Sequence, residues 1–244
     1  MLALFLEDAG LLEERAQVLS VGAGHEEVLF WLANKVGRVV ATDMYGEGEF
    51  SDAEADATML GDPAAFAPYP YREERLEVAK MDGRDLDFED GSFDAVFSLS
   101  SIEHFGRPAD VVRAAREIGR VLRSGGYAFV VTECFVRRHV LNSKLVQTGI
   151  RVVTLGRRCP TATLRNRMLT VFTPEELRWY IIRPSRLRLL QRLDRTMSPR
   201  SWENLIHWSG AGDLAPTTGR PFPHILLKAH GSAWTSVALP LRKP

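Results

Sequence analysis

The chain has 244 residues, of which 45% are hydrophobic and 25% charged, and its formal net charge is zero. This length suffices for one α/β domain with a complete core, and the composition is that of a globular protein. No apolar run approaches the roughly 20 residues that a membrane-spanning helix needs. Cys134 and Cys159 have no metal-ligand or redox spacing. They predict ordinary thiols in a reducing cytoplasm and no metal site.

The zero net charge conceals an uneven distribution along the chain. Residues 1–133 contain 26 acidic residues against 12 lysines and arginines, whereas residues 134–224 contain 5 acidic residues against 16 basic ones. A difference of this size within one chain usually reflects what the chain binds. Either the two parts attract each other, or the basic segment faces an anionic substrate.

The first half of the sequence alternates predicted strands and helices. The run at 17–21, apolar apart from Ser20 after its first residue, is typical of a strand buried on both faces. Further strands are predicted at 38–42, 76–80, 93–99 and 127–132. Apolar residues at helical spacing predict helices at 7–16, at 26–36 and from Pro108 to a stop at Ser124–Gly126. Residues 44–75 are rich in glycine and proline, and they predict a long irregular loop over the cofactor end of the sheet.

The second half is basic and interrupted by prolines. One helix should begin at Thr173–Glu176, and arginines beside leucines at 183–195 predict a basic amphipathic helix. Two final strands, 224–229 and 233–241, would form an antiparallel hairpin. We therefore predict a doubly wound (Rossmann-like) α/β fold in one domain, 1–244, with a mostly parallel seven-stranded sheet. It would comprise a cofactor-binding core at 17–132, a basic substrate cap at 134–224 and a closing hairpin at 225–241.

The turn after the first strand is the first functional motif. Gly22 and Gly24 let the backbone approach a ligand closely. A dinucleotide-binding fingerprint would need a third glycine where this chain has Glu27. Glu26 and Glu27 would also repel a diphosphate from the start of the following helix. A cofactor without phosphates that carries a cationic centre, such as S-adenosylmethionine, suits these acids better.

Four more candidate residues follow later strands at the same edge of the sheet. Asp43 ends the second strand, where a carboxylate can accept both ribose hydroxyls, and Asp82 ends the third, where it could accept the adenine amino group. His104 follows the fourth strand and is a candidate general base, with Glu133 at the tip of the fifth strand as a rival. Each also has an ordinary structural interpretation, as a turn residue, a loop residue or a solvated acid.

Five segments in order resemble the successive motifs of class I S-adenosylmethionine-dependent methyltransferases of the small-molecule "type 11" group. They are Val18–Gly24, Ala41–Asp43, Met81–Gly83, Asp90–Val96 and Ile118–Gly126. The resemblance covers about residues 17–132. It implies that the first segment contacts the amino acid tail of the cofactor, Asp43 the ribose and Asp82 the adenine. The predicted cofactor-binding residues are Val21, Gly22, Ala23, Gly24, Asp43, Met44, Asp82, Gly83, Ser98 and Ser100.

Two positions depart from the family pattern. Ser20 stands where the family usually has an acid that contacts the amino end of the cofactor, and Glu26 stands at the usual third glycine. We expect methyl transfer to an O or N nucleophile of a small substrate that bears a phosphate or carboxylate. The basic segment could also touch a membrane or a lipid-linked substrate, and nucleic acid is not expected because no recognised binding module is present. The alternatives are a dinucleotide-dependent oxidoreductase or epimerase and a non-catalytic cofactor-binding module.

Overall fold

The computed structural model describes residues 1–48, 50–138, 144–155, 171–203, 205–207, 225–229 and 231–244. The chain forms two compact units. The first comprises Met1–Val131, Leu177–Arg192 and Ala238–Pro244, and the second comprises Thr132–Glu176 and Leu193–Val237. Four arginines of the basic segment lie outside the described residues: Arg157, Arg158, Arg165 and Arg167. The predicted start of the next-to-last strand at residue 224 also lies outside them.

The first unit is built on a parallel sheet. Its strands are β1 (Gln17–Val21), β2 (Arg38–Asp43), β3 (Leu76–Lys80) and β4 (Phe93–Leu99), followed by β5 (Leu122–Arg137), whose last residues belong to the second unit. The order is β3-β2-β1-β4-β5, and every neighbouring pair is parallel. Because β1 is central and almost wholly buried, its apolar run is the clearest strand signal in the sequence.

Three helices cover this sheet in the first unit. They are α1 (Leu2–Asp8), α2 (Glu27–Ala33) and α3 (Pro108–Val121). Leu29 and Leu32 of α2, which have the predicted helical spacing, are fully buried, and so is Phe30, which that spacing did not include. Pro108 occupies the first turn of α3, where the backbone N–H of Arg107 donates to Asp110 Oδ2 at 2.9 Å. These contacts fix α2 and α3 at the sheet edge from which the candidate motifs emerge.

The segment between β2 and β3 is irregular, as predicted. It contains three short 3₁₀ helices rather than one helical turn, at Ala57–Leu60, Pro63–Phe66 and Glu73–Arg75. Tyr45, Ala55 and Met59 are buried in the core of the first unit, which anchors the loop. The loop is therefore a packed part of the unit.

The remaining elements lie mainly in the second unit. They are α4 (Lys144–Val153), α5 (Pro174–Leu177), a π-helical turn (Arg178–Ile182), α6 (Arg183–Ser185), β6 (Arg188–Leu189), α7 (Pro199–Glu203), β7 (Ile206–His207), β8 (Leu227–Ala229) and β9 (Ser232–Arg242). Of these, Leu177–Leu189 and the end of β9 belong to the first unit. The predicted closing hairpin is confirmed, because β8 pairs antiparallel with the start of β9. No helix among the described residues is long and apolar enough to cross a membrane.

The structure confirms the doubly wound α/β fold and corrects several boundaries. The predicted helix at 7–16 is wrong: α1 ends at Asp8, and Gly10 follows with a left-handed φ of +68°. The stop at Ser124–Gly126 is also wrong, because the helix ends at Val121 and β5 runs through these residues. Gly125 (φ +77°) lies within β5, where the pairing of β5 with β4 shifts in register between Phe93 and Ala95. The two-residue strands β6 and β7 bring the number of strands among the described residues to nine.

The predicted amphipathic helix at 183–195 does not form. Arg186 has a left-handed φ of +59° and ends the helix at Ser185. Arg188 and Leu189 instead form β6, which pairs antiparallel with Leu241 and Arg242 of β9. The arginines of this segment consequently do not share one helical face, and the segment is not a membrane-binding helix of the predicted kind.

A close helix contact yields the first prediction. A Cβ on Gly119 of α3 would lie 2.0 Å from the carbonyl oxygen of Ser185. We expect Gly119→Ala to lower the free energy of unfolding by about 2–3 kcal/mol, because the backbone of α6 must move away. A Cβ on Gly149 of α4 meets nothing within 4 Å, so Gly149→Ala is the matched control and should gain up to about 1 kcal/mol. Urea denaturation measures both, and equal effects would contradict the contact.

Candidate active site

A cavity of about 920 Å³ opens at the carboxyl ends of the parallel strands of the first unit. Eight of the ten predicted cofactor-binding residues line it: Gly22, Ala23, Gly24, Asp43, Met44, Asp82, Gly83 and Ser100. The other two, Val21 and Ser98, are fully buried within β1 and β4. His104 also lines the cavity. The rule that ligands of open α/β sheets bind beyond the carboxyl ends of the strands therefore located this cavity correctly.

The glycine turn after β1 is held in a conformation that only glycine tolerates. Gly22 has a φ of +70° and Gly24 a φ of +48°. A Cβ on Gly22 would lie 2.5 Å from Cβ of Ser101, whose hydroxyl donates to the Gly22 carbonyl at 2.6 Å. The backbone N–H groups of Gly22 and Ala23 donate to the carbonyl of Thr42. These bonds tie the turn to β2 and β4 while one side of its backbone faces the cavity.

Asp43 links the end of β2 to the glycine turn. Its Oδ2 accepts the backbone N–H of Gly24 at 2.9 Å, and its Oδ1 accepts that of Met44 at 2.7 Å. Burial raises the pKa of the Asp43 carboxyl, and these two N–H donors partly oppose that rise. Each oxygen keeps further acceptor capacity. The carboxylate can therefore accept two more hydrogen bonds from a ligand, as paired ribose hydroxyls would require.

Glu26 stands next to Asp43 at the entry of α2. Its Oε2 is buried and has no hydrogen-bond partner in the part of the chain that the structure describes. Burial, and secondarily the charge of Asp43, raise the pKa of Glu26 to about 8. The backbone here has φ −60° and ψ 132°, which any residue can adopt. The usual third glycine is thus replaced by a carboxyl group facing the cavity.

Asp82 is already engaged by a neighbour that the sequence did not single out. The guanidinium of Arg84 donates to both carboxylate oxygens, with distances of 2.7 Å from Nη2 to Oδ2 and 2.8 Å from Nε to Oδ1. Hydrogen bonding by Arg84 lowers the pKa of Asp82. Asp82 therefore remains ionised and positioned, and a ligand would meet an ion pair there instead of a lone carboxylate.

Aromatic rings form another part of the lining that was not predicted. Phe50 makes an edge contact with His104 at 4.9 Å between ring centroids, and Phe66 stacks on His25 at 4.7 Å. A Cβ on Gly83 would lie 2.7 Å from the Phe105 ring. Phe50 and Phe66 come from the irregular loop, where no periodic pattern marks the residues that face a cavity. Spacing gave no signal for them.

Glu133, the rival base, lies in the second unit. Its side chain is only 8% exposed, and the hydroxyl of Ser236 donates to its Oε1 at 2.7 Å. Burial raises the pKa of this carboxyl. Its role therefore remains a prediction, and of the two predicted bases His104 is the one on the cavity wall.

The cavity lining is strongly acidic. Among the described residues, six carboxylate side chains contribute to it: Glu26, Glu27, Asp43, Glu47, Glu54 and Asp82. Arg84 is the single lysine or arginine among the described residues of that lining, and it is bonded to Asp82. Such a lining repels a diphosphate and attracts a cation. No group of three or more potential ligand side chains arranged for a metal ion occurs in the described ranges.

Known proteins share both this sequence pattern and this fold. Residues 19–130 match the family model of a methyltransferase domain. A sarcosine/dimethylglycine N-methyltransferase of Halorhodospira halochloris is 34% identical over 116 residues, which is 48% of this chain and 37% of that protein. A tRNA (carboxymethyluridine(34)-5-O)-methyltransferase of Xenopus tropicalis is 32% identical over 95 residues, 38% of this chain and 15% of that protein. The chain thus spans well under half the length of either relative.

Solved structures extend the likeness of fold across the chain. An S-adenosylmethionine-dependent methyltransferase from Methanosarcina mazei aligns with a TM-score of 0.53 at 16% identity, covering 97% of both chains. A geranyl diphosphate C-methyltransferase from Streptomyces coelicolor aligns with a TM-score of 0.58 at 14% identity, covering 100% of this chain and 77% of that one.

The strand order and the glycine turn agree with the fold of the solved S-adenosylmethionine-dependent methyltransferases. The family model of a methyltransferase domain matches residues 19–130, a little under half of the chain. The resemblance noted in the sequence is thereby confirmed.

The buried Glu26 carboxyl yields a prediction about stability. In the unfolded chain this group ionises near its ordinary pKa of 4.5, and in the folded protein near 8. Between these values the folded state retains a proton that the unfolded state has lost, so stability falls as pH rises from about 4.5 to 8. We expect Glu26→Gln to match the wild type at pH 5 and to exceed its unfolding free energy by about 2 kcal/mol at pH 8.

Urea denaturation at the two pH values tests this expectation. Glu27→Gln removes the same charge from the adjacent, exposed position and should show no pH-dependent difference from the wild type. A Glu26→Gln protein that is less stable than the wild type at pH 8 would show that the carboxylate is stabilised by a partner.

Proposed function

We propose that this protein transfers the methyl group of S-adenosylmethionine to an oxygen or nitrogen nucleophile of a small substrate. The observation that carries the proposal is the acidic cavity, which is built on the glycine turn and Asp43 inside the matched domain. Its charge suits a cofactor with a sulfonium and an ammonium group and no phosphate. The same charge disfavours a dinucleotide-dependent oxidoreductase.

The residues present can hold each part of the cofactor. The backbone at Gly22–Gly24 would bind the amino acid tail, and Asp43 the ribose hydroxyls through its remaining acceptor capacity. The Asp82–Arg84 pair, Met44 and Gly83 would border the adenine, and Ser100 would lie near the methionine part. When bound, the cofactor supplies an electrophilic methyl group on its sulfonium. The protein must then align the nucleophile and exclude water.

We assign to His104 the role of the general base that accepts the proton of the nucleophile. It is on the cavity wall, and the edge contact with Phe50 holds its ring. An imidazole at this place could accept the proton of a substrate hydroxyl or amine as the methyl group is transferred. Glu133 is retained as the alternative base. Burial raises the pKa of its carboxyl, which could take a proton if the substrate reached it.

The substrate we propose is small and bears a carboxylate or phosphate. The excess of arginine and lysine in residues 134–224 supports this, since a guanidinium binds either group through two parallel hydrogen bonds. One similar protein is named for sarcosine and dimethylglycine, which are carboxylates with an amine acceptor. A tRNA substrate is the second candidate, because other similar proteins are tRNA methyltransferases. We place the protein in the cytoplasm, where the free thiol of Cys134 would stay reduced.

Cofactor binding is the first experimental test. S-adenosylmethionine at 100 times its dissociation constant should add about 2.7 kcal/mol to the stability of the protein, whereas NAD should add nothing. Asp43→Ala should weaken S-adenosylmethionine binding at least tenfold, because a hydrogen bond to a buried charged group contributes about 1.5–3 kcal/mol. Isothermal titration calorimetry measures these affinities. Asp52→Ala, at an exposed position of the loop, is the matched control. Stabilisation by NAD alone would overturn the proposal.

Transfer of a labelled methyl group is the second test. Extract from the source cells is separated into a small-molecule filtrate and an RNA fraction, and each is incubated with protein and methyl-labelled cofactor. We expect label in the filtrate, and His104→Ala should slow its appearance by about 100-fold or more while cofactor affinity is unchanged. Label in the RNA fraction would favour the tRNA alternative. Loss of transfer in Glu133→Gln but not in His104→Ala would reassign the base, and cofactor binding without transfer would indicate a binding module.

A further inference from the structure

The cofactor cavity contains a half-buried acid that the family pattern does not provide. Glu26 occupies the usual third glycine position, and its Oε2 has no partner among the described residues. Its neighbour Asp43 accepts hydrogen bonds from two backbone N–H groups. The two carboxyl groups therefore differ in how many hydrogen-bond donors they still lack. No lysine or arginine among the described residues forms a salt bridge with either of them. The two carboxyl groups therefore have no positively charged side chain paired with them among the described residues.

The acid that the family usually carries on the first strand is missing from the same neighbourhood. Ser20 stands there, and it is only 1% exposed. Its hydroxyl oxygen has no hydrogen-bond partner in the described part of the chain, and a hydroxyl provides no negative charge. The backbone carbonyl of Ser20 is occupied by the hydroxyl of Thr42 at 2.8 Å. The end of β1 therefore has no anionic group for the amino end of the cofactor.

We propose that Glu26 binds the ammonium group of S-adenosylmethionine and so replaces the acid that Ser20 lacks. This inference rests on the proposed function. Glu26 comes two residues after Gly24, at the end of the turn assigned to the amino acid tail, and it lines the same cavity. A buried carboxylate without a donor is costly, and a cationic ligand group removes that cost by supplying both charge and N–H donors.

The raised pKa of Glu26 is consistent with this role. The charged and titratable groups that surround it in the lining are Asp43, Glu27, Glu54, His25 and, through Gly24, the hydroxyl of Tyr45. Burial and, secondarily, the charge of Asp43 disfavour the ionised form of Glu26, so the free protein holds this carboxyl partly protonated near neutral pH. An arriving ammonium group would stabilise the ionised form. Proteins retain such destabilising groups mainly where a ligand uses them.

Three ligands separate the parts of the cofactor that Glu26 could contact. S-adenosylmethionine carries both the ammonium and the sulfonium, S-adenosylhomocysteine carries the ammonium alone, and 5′-methylthioadenosine carries neither but keeps the ribose and adenine. Binding of each to the wild type, Glu26→Gln and Glu26→Asp is measured by calorimetry at pH 7.5. Glutamine has the shape of the protonated acid and cannot ionise, so it removes only the charge.

We expect Glu26→Gln to bind S-adenosylmethionine and S-adenosylhomocysteine at least tenfold more weakly and 5′-methylthioadenosine within twofold of the wild type. Glu26→Asp should recover part of the loss. Asp52→Asn, which removes an exposed acid of the loop outside the cavity lining, should change each affinity by less than twofold. A loss for S-adenosylmethionine alone would place Glu26 at the sulfonium, and a loss for all three ligands would place it at the ribose. Either result overturns the ammonium assignment.

Unchanged binding of all three ligands by Glu26→Gln would also overturn the inference, while leaving the proposed function intact. Failure of the wild type to bind any of the three would instead overturn the proposed function itself. Because the variant is expected to be at least as stable as the wild type at pH 8, a loss of binding cannot be attributed to unfolding. Thermal denaturation of each variant without ligand confirms this.

Discussion

The hydrogen bonds of Asp43 hold the candidate site together. One carboxylate accepts N–H groups from Gly24 and from Met44, and so joins the turn after β1 to the residue that begins the long loop. The hydroxyl of Tyr45 continues this connection by donating to the carbonyl of Gly24 at 2.7 Å. The shape of the glycine turn, the start of the loop and the place of Glu26 all depend on these bonds. Asp43 is consequently a structural residue as well as a predicted ligand.

The part of the fold that the sequence predicted best is the part with the simplest physical cause. Strands β1, β3 and β4 have the predicted bounds. For the central strand β1 the cause is that a strand buried on both faces must be largely apolar, whereas β3 at the edge is only partly buried. The errors arose where single residues take left-handed backbone conformations. Arg186 does so without being glycine, and nothing in the local pattern marks that choice. Gly10 and Gly125 could have been interpreted as interruptions of a helix. The sequence does not indicate, however, in which direction the chain continues after them.

The residues that line the candidate site were predictable to the same extent as the fold. Residues at strand ends, such as Asp43 and Asp82, were found because parallel strands bring their carboxyl ends to one edge. Phe50, Phe66 and Arg84 were not found, since they come from loops whose conformation depends on tertiary packing. Glu26 was recognised as a departure from the family. Its burial became evident only from the structure, because it depends on how the turn and the loop pack around it.

The uneven charge of the chain has a partial explanation in this site. Several arginines of the first unit are neutralised by nearby acids, as in the pairs Arg38–Glu77 and Arg120–Glu117. Among the acids of the cavity, Glu47 is paired with Lys80 and Asp82 with Arg84, whereas Glu26 and Asp43 form no salt bridge with a lysine or arginine of the described residues. The charge of these two acids is therefore directed at whatever enters the cavity. A cofactor with two positive groups and one carboxylate offers the complementary charge. Part of the acidic excess in residues 1–133 is thus explained by its charge complementarity to the cofactor. Attraction between the two parts of the chain is not needed to account for this part of the excess.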